Sequence, residues 1–225
     1  NLDMSQIGRI LNNFNLELKN GPPVKSMLIQ NTNPMVVAPE HNLVRSGFSR
    51  KDLFVCVHDQ FLTETAKLAN IVLPATTFFE HDDFYVGGGH SYLHFGPKII
   101  EPIAESKSNH EVICELGNLL SPGHPGFQMS LEKLIEETLL ISGYPTLSEF
   151  KKLKWVNCQP QKKVSNFDSG FFTKDKKFHF QPNWRDIGPT GNLMNNYPDH
   201  LDIIDRITKD FPFELVTAPA RSFLN

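Results

Sequence analysis

Three short polar stretches hold most of the recognisable chemistry in this sequence: Asn31, Thr32 and Asn33; His58 with Asp59; and Ala75, Thr76 and Thr77. Each stands behind a strand-like run: KSMLIQ at 25–30, the β-branched and aromatic LFVCV at 53–57, and IVL at 71–73. Such runs, bounded by turn residues, read as buried strands. Parallel strands bring their carboxyl ends to one edge of a sheet, and α/β proteins take ligands in the crevice outside that edge. The convergence of the three clusters is the signal. A carboxylate only accepts hydrogen bonds, so Asp59 suits a nucleobase edge or a ribose; alternatively it caps or turns the loop before a helix at 62–69. Asn33, ahead of Pro34, either bonds a nucleotide or closes an Asx turn.

Other clusters have plainer readings. Thr63 and Thr65 sit where helix caps belong. EHDD at 80–83 has the residue types of a metal cluster, but no spaced partner completes a site, and a solvated loop explains it. GGGH at 87–90 lacks the glycine-lysine frame of a phosphate loop and opens no helix. Its glycines permit a sharp bend or a close backbone approach. His41, His81, His90, His94 and His110 are scattered, and none is framed with a Ser or Cys for nucleophilic catalysis.

The elements that must position these groups follow from periodicity. Met4, Ile7, Ile10 and Leu11 mark a short amphipathic helix at 4–13, and Leu43, Val44 and Phe48 line one face of another at 41–50. Strands at 25–30, 53–57 and 71–74 with helices between them, at 41–50 and 62–69, predict right-handed crossovers. The fold class is α/β: a parallel sheet with crossover helices, part of a Rossmann-like, dinucleotide-binding-like domain. Residues 75–103 read as loop and hairpin. Ser108 with Glu111 forms a capping box for a helix ending near Leu120, and Ser130 caps a second helix. Residues 150–200 read as a connecting segment with one hairpin, FFTKDKKFHF turning on KDK. HLDIIDRI reads as a short helix, and 213–217 as a strand that needs a sheet partner. The expected division is 1–120 for the α/β domain, 121–210 for a helical and irregular connecting segment, and 211–225 for the start of a further domain.

Composition bounds the class. The 225 residues are 40% hydrophobic, enough for a sizeable core, and 22 basic against 25 acidic residues leave a net charge of -3. No basic excess points to nucleic acid, so no nucleic-acid partner is expected. Three distant cysteines, Cys56, Cys114 and Cys158, form no disulfide framework and no paired metal motif. That usage fits a reducing compartment, and cytoplasmic is the expected location. No run approaches the ~20 apolar residues of a membrane span. The start at Asn1 and the unpartnered terminal strand point to a piece of a longer polypeptide whose remainder is required for function.

The ordered segments NTNPMVVAPEHNLVR, LFVCVHDQFLTETAKLANIVLPATTFFEHDD and GPKIIEPIAESKSNHEVICELGNLL resemble the molybdopterin oxidoreductase family, of the dimethyl-sulfoxide-reductase and formate-dehydrogenase type. The family pattern has a strand ending in x-N-P, a strand ending in x-D followed by F-x-T-E-T-A, then A-D-x-V-L-P-A and E-K-x-G. The resemblance covers about 24–120, and FPFELVTAPARSFLN is similar to the strand that opens the family's C-terminal cofactor-binding barrel. It implies an internal-to-C-terminal fragment of a catalytic subunit that carries molybdenum in a bis-molybdopterin guanine dinucleotide. A guanine nucleotide end would lie at the carboxyl edge of this sheet. Position by position it places Asn33, His58, Asp59, Ala75, His81 and Asn109 at that cofactor, with Asp59 at the guanine-contacting position. His58 replaces the usual Gln or Ser, His81 the usual Lys, and Asp83 the usual Gly.

The same resemblance implies that the molybdenum ligand, and in some members a 4Fe-4S cluster on an N-terminal Cys motif, come from outside this chain. The implied partners are a small-molecule substrate and a redox partner. A rival reading is a non-catalytic scaffold like the related large subunit of respiratory complex I, and a third is a free-standing nucleotide-binding module.

Overall fold

The computed structural model describes residues 2–159, 167–184, 194–197 and 207–215. The three strand-like runs form the expected strands, β1 (Ser26–Gln30), β2 (Phe54–Asp59) and β3 (Ile71–Pro74), parallel and in the order β1-β2-β3. Gln30 is in register with His58, and Asp59 with Pro74, so the three carboxyl ends are level.

The first crossover uses α2 (Pro34–Val37) and α3 (His41–Phe48), and α1 (Ile7–Leu11) packs beside α3. The sequence reading did not anticipate α2; it starts at Pro34, whose fixed φ suits the first helical turn. The second crossover differs from expectation, because residues 62–69 hold a single 3-10 turn, Ala66–Leu68, rather than an α-helix. Its threonines explain why. Thr63 Oγ1 accepts the Ala66 N–H at 3.2 Å, while Thr65 turns away from the helix start to bond Asn33.

Leu11, Ile29, Met35, Val44, Phe48, Leu53, Val55, Val57 and Ala66 form the core between sheet and helices. Gly47 permits the close crossing of α1 and α3: a Cβ there would sit 2.5 Å from Leu11 Cβ.

Residues 83–96 form the expected hairpin, β4 (Asp83–Val86) and β5 (Tyr92–Gly96). At its tip Gly87 serves a close approach, since a Cβ would come 2.5 Å from His90 Nε2. A third antiparallel strand, β6 (Trp155–Asn157), pairs with β5. The helices α4 (Asn109–Leu120) and α5 (Leu131–Ile141) begin at the anticipated Ser108 and Ser130 caps, with the Ser108–Glu111 capping box formed in both directions. α6 (Leu147–Leu153) carries a second such box, Thr146 with Glu149. Leu93, Ile135, Leu139, Leu147 and Phe150 make a separate core under the hairpin, with Phe95 edge-on to Phe150 at 5.9 Å. One compact unit therefore spans 1–159, and the boundary expected at 120 falls inside it. Residues 131–157 do not merely connect: two helices cover the apolar face of the hairpin and a strand extends its sheet beside β5.

In the second unit, residues 171–180 form turns and bends in place of the expected hairpin. The Phe171 N–H bonds the Lys176 carbonyl at 3.0 Å, and the Phe167 and Phe171 rings stack at 4.6 Å, closing the chain too tightly for a strand ladder. Of HLDIIDRI, all but Ile207 lie outside the described residues; of 213–217, residues 213–215 lie in no strand and the rest are outside.

Candidate functional site at the carboxyl edge of the parallel sheet

His58 is the penultimate residue of β2 and is fully buried. Its Nε2 lies 2.9 Å from the Lys107 carbonyl oxygen and its Nδ1 3.0 Å from Gln30 Nε2. A carbonyl can only accept, so Nε2 carries the hydrogen and Nδ1 accepts from the Gln30 amide. Both ring nitrogens are committed inside the protein. The expected contact of His58 with a ligand would therefore have no ring nitrogen to use.

Lys107 forms one further rung beyond β3. It makes a parallel bridge with Ala75, donates its N–H to the Pro74 carbonyl at 3.1 Å and accepts the Thr76 N–H at 3.1 Å. The next residue is Ser108, the cap of α4, so this rung delivers the α4 N-terminus to the sheet edge. Asn109 opens α4 with an exposed side chain. Ala75 contributes through its backbone: its N–H bonds the Asp59 carbonyl at 3.0 Å.

Asp59 is half-buried. Its Oδ1 accepts the Phe61 N–H at 3.1 Å, the local turn foreseen as its alternative role, while its other oxygen has no hydrogen-bond partner among the described residues. One acceptor therefore remains available at the end of β2.

Asn33 is placed differently from expectation. Its Oδ1 accepts both the Thr65 hydroxyl at 2.7 Å and the Thr65 N–H at 3.3 Å, and the Thr65 oxygen in turn accepts the Met35 N–H at 3.1 Å. Thr65 is fully buried, so Asn33 clamps the β1 loop to the turn before β3. The Asn33 carbonyl oxygen is spent on Thr65, which leaves its amide nitrogen for the expected ligand contact.

His81 bonds Thr76 Oγ1 at 2.9 Å through Nδ1, and its Nε2 lies 3.9 Å from Asp83. Beside it, Glu80 is nearly inaccessible to solvent and accepts the Thr77 N–H, the Thr77 hydroxyl and the Ile103 N–H at 2.6–2.8 Å. The Thr77 and Ile103 N–H groups hold its carboxyl below the usual carboxylate range. The EHDD stretch is therefore neither a metal cluster nor wholly a solvated loop. Asp82 accepts the Lys98 N–H at 2.7 Å and pairs with Lys151 at 3.1 Å, and no set of three metal-ligating side chains gathers among the described residues.

Sequence reasoning missed Gln30, Glu80 and Lys107 and read Thr65 as a helix cap; each acts on a partner distant in the chain or through its backbone. Of the three missed, Glu80 alone had a signal, lying inside a stretch already singled out. The three cysteines are free, and none lies at this edge: Cys56 is within β2, where burial pushes its thiol up, and Cys114 lies within 4 Å of His110 on α4. An apolar groove of about 640 Å³ runs along β1 and α1, and a more polar one of about 570 Å³ lies between His81, Ser108 and α5. Asp59 lines neither groove, so the site rests on its hydrogen-bonding capacity and not on cavity size. No helix among the described residues is long and apolar enough to cross a membrane.

Residues 8–119 match the family model described as molybdopterin oxidoreductase. The chain is 46% identical over 147 residues to a protein of Bacillus subtilis named "Probable oxidoreductase YoaE", covering 65% of this chain and 21% of that protein. It is 24% identical over 200 residues to formate dehydrogenase H of Escherichia coli, covering 86% of this chain and 26% of that enzyme. The chain thus spans between about an eighth and a third of the length of the curated relatives it matches. Its fold is shared with acetylene hydratase from Pelobacter acetylenicus, with a TM-score of 0.69 at 19% identity, over 88% of this chain and 26% of that one. With its parallel sheet, its ordered motifs and these relatives, the chain carries a molybdopterin oxidoreductase domain and belongs to that family.

Proposed function

We propose that this chain is part of a molybdenum-dependent oxidoreductase and that the carboxyl edge of its parallel sheet binds one guanine nucleotide end of a bis-molybdopterin guanine dinucleotide. The observation that carries this reading is the open Asp59 oxygen, a half-buried acceptor at the end of a central parallel strand. A guanine edge presents adjacent N–H donors, which an acceptor-only group satisfies.

The surrounding residues fit the same ligand. The first turn of α4 offers backbone N–H groups and the positive end of a helix dipole to a phosphate, and Asn109 adds an exposed amide there. His81 holds Thr76 beside that turn, and Ala75 fixes the backbone next to Asp59. The bound group supplies the redox chemistry, while the protein contributes binding, orientation and electrostatics. This chain's part is binding. The thiols offer no ligand at the edge, so the metal ligand and any iron-sulfur cluster belong to other parts of the full protein. A small-molecule substrate and a redox partner complete the reaction, the three free cysteines fit a cytoplasmic location, and residues 211–225 would lead into the C-terminal barrel.

The test is mass-spectrometric analysis of metal and pterin in the native full-length protein. Molybdenum with guanylated pterin in stoichiometric amount is expected. Their absence from protein made in a cell able to produce the cofactor would refute the proposal and leave the non-catalytic scaffold.

A further inference from the structure

We infer that His58 is a positioning residue for this edge: it sets the placement of the α4 N-terminus against the Asp59 carboxylate without touching the ligand. The inference rests on the reading of the edge as a dinucleotide site. Its basis is a string of side-chain hydrogen bonds that crosses the whole sheet end. The Gln30 amide at the end of β1 donates to His58 Nδ1 on β2, and His58 Nε2 donates to the Lys107 carbonyl, one rung past β3.

That rung is otherwise slight. Lys107 pairs with β3 through two backbone hydrogen bonds and an isolated bridge, with irregular chain on its N-terminal side. A single rung of this kind opens easily, because it lacks the neighbouring pairs that make a ladder cooperative. The imidazole itself is inaccessible to water, where a hydrogen bond is strong, and its loss leaves the Lys107 carbonyl only the Thr76 N–H. Gln30 completes the device by fixing which nitrogen carries the hydrogen, and thereby the direction of donation. The string therefore ties Asp59, the residue after His58, to Asn109, two residues past Lys107.

The experiment uses full-length protein loaded with cofactor and follows release of guanylated pterin over time by mass spectrometry. The variants are His58→Ala, His58→Gln, Gln30→Ala and Asp59→Asn, and amide exchange at Thr76 and Lys107 is followed in the cofactor-free forms. Gln can donate to the Lys107 carbonyl and accept from Gln30 at once, so His58→Gln is expected to release at the wild-type rate. His58→Ala is expected to release roughly tenfold faster and to expose the Thr76 and Lys107 amides, with Gln30→Ala intermediate. Wild-type release from His58→Ala alongside fast release from Asp59→Asn would overturn the role of His58 and leave the dinucleotide site standing. Wild-type release from Asp59→Asn would instead remove the site itself. Equal loss in His58→Ala and His58→Gln would overturn the inference by showing that imidazole shape, not the donated hydrogen bond, matters. Should His58→Ala fail to fold, Gln30→Ala carries the test: faster release supports the string and unchanged release overturns it.

Discussion

Replacing Asn33 with Ala separates a clamp from a ligand contact. The substitution removes one oxygen that accepts two hydrogen bonds, from the Thr65 hydroxyl and the Thr65 N–H, and Thr65 is fully buried. A buried donor left without an acceptor costs about 1–3 kcal/mol. Asn33 itself is only half-buried, so water reaches part of the vacated space and the low end applies to each donor. The loss should total about 2–3 kcal/mol, a rise of roughly 30- to 150-fold in the opening equilibrium of this segment. Hydrogen exchange at the Thr65 and Met35 amides in cofactor-free full-length protein reads that equilibrium. Asn33→Asp keeps the acceptor but sets a carboxylate beside Glu64, whose own carboxylate interacts with the Asn33 side chain, so a smaller loss is expected. Unchanged exchange at Thr65 in Asn33→Ala, together with lost cofactor, would refute the clamp and restore Asn33 as a direct contact.

Three further outcomes follow from the packing and the caps. Phe150→Ala empties a fully buried ring site in the core under the hairpin and should cost about 3–5 kcal/mol, with exchange rising in β4, β5, β6, α5 and α6 but not in the parallel sheet. Gly47→Ala drives a methyl group to 2.5 Å from Leu11 Cβ and should cost about 1–3 kcal/mol, read as a lower denaturant midpoint. Burial alone would raise the Glu111 carboxyl, but the Ser108 N–H and hydroxyl outweigh it and hold it below its ordinary value of 4.5. A depressed carboxylate stabilises above its unfolded value and loses that contribution as pH falls through the lower folded one. Exchange in the first turn of α4 should therefore rise below pH 4.5, and Glu111→Gln should flatten that dependence.

The strands and the α4 and α5 caps were legible because each is written in neighbouring residues: a strand-like apolar run, or a Ser just ahead of a helical apolar pattern, which at Ser108 is followed three positions later by Glu. Convergence at the carboxyl edge was legible for the same reason, since parallel strands leave no other arrangement for their ends. What stayed hidden was which polar groups are spent internally. Asn33 finds its partner 32 residues away and His58 reaches a backbone carbonyl 49 residues away, distances over which no local pattern acts. The departure of His58 from the family's usual Gln or Ser was visible, but its meaning depends on Gln30 and Lys107 both being in reach. Similarly β6 is three residues long, too short for periodicity to mark, so the pairing that draws residues 131–157 under the hairpin could only come from the fold. Glu80 sat in an acidic stretch that composition assigns to solvent, and burial reversed its role.

The central claim is that the dinucleotide end lies where β2 ends and α4 begins. Hydrogen exchange of the full-length protein with and without bound cofactor locates it directly. Protection confined to residues 59–61, 75–77 and 109–111 is the expected result. Protection absent from these segments and present instead along the groove beside β1, at residues 27–39, would contradict the account.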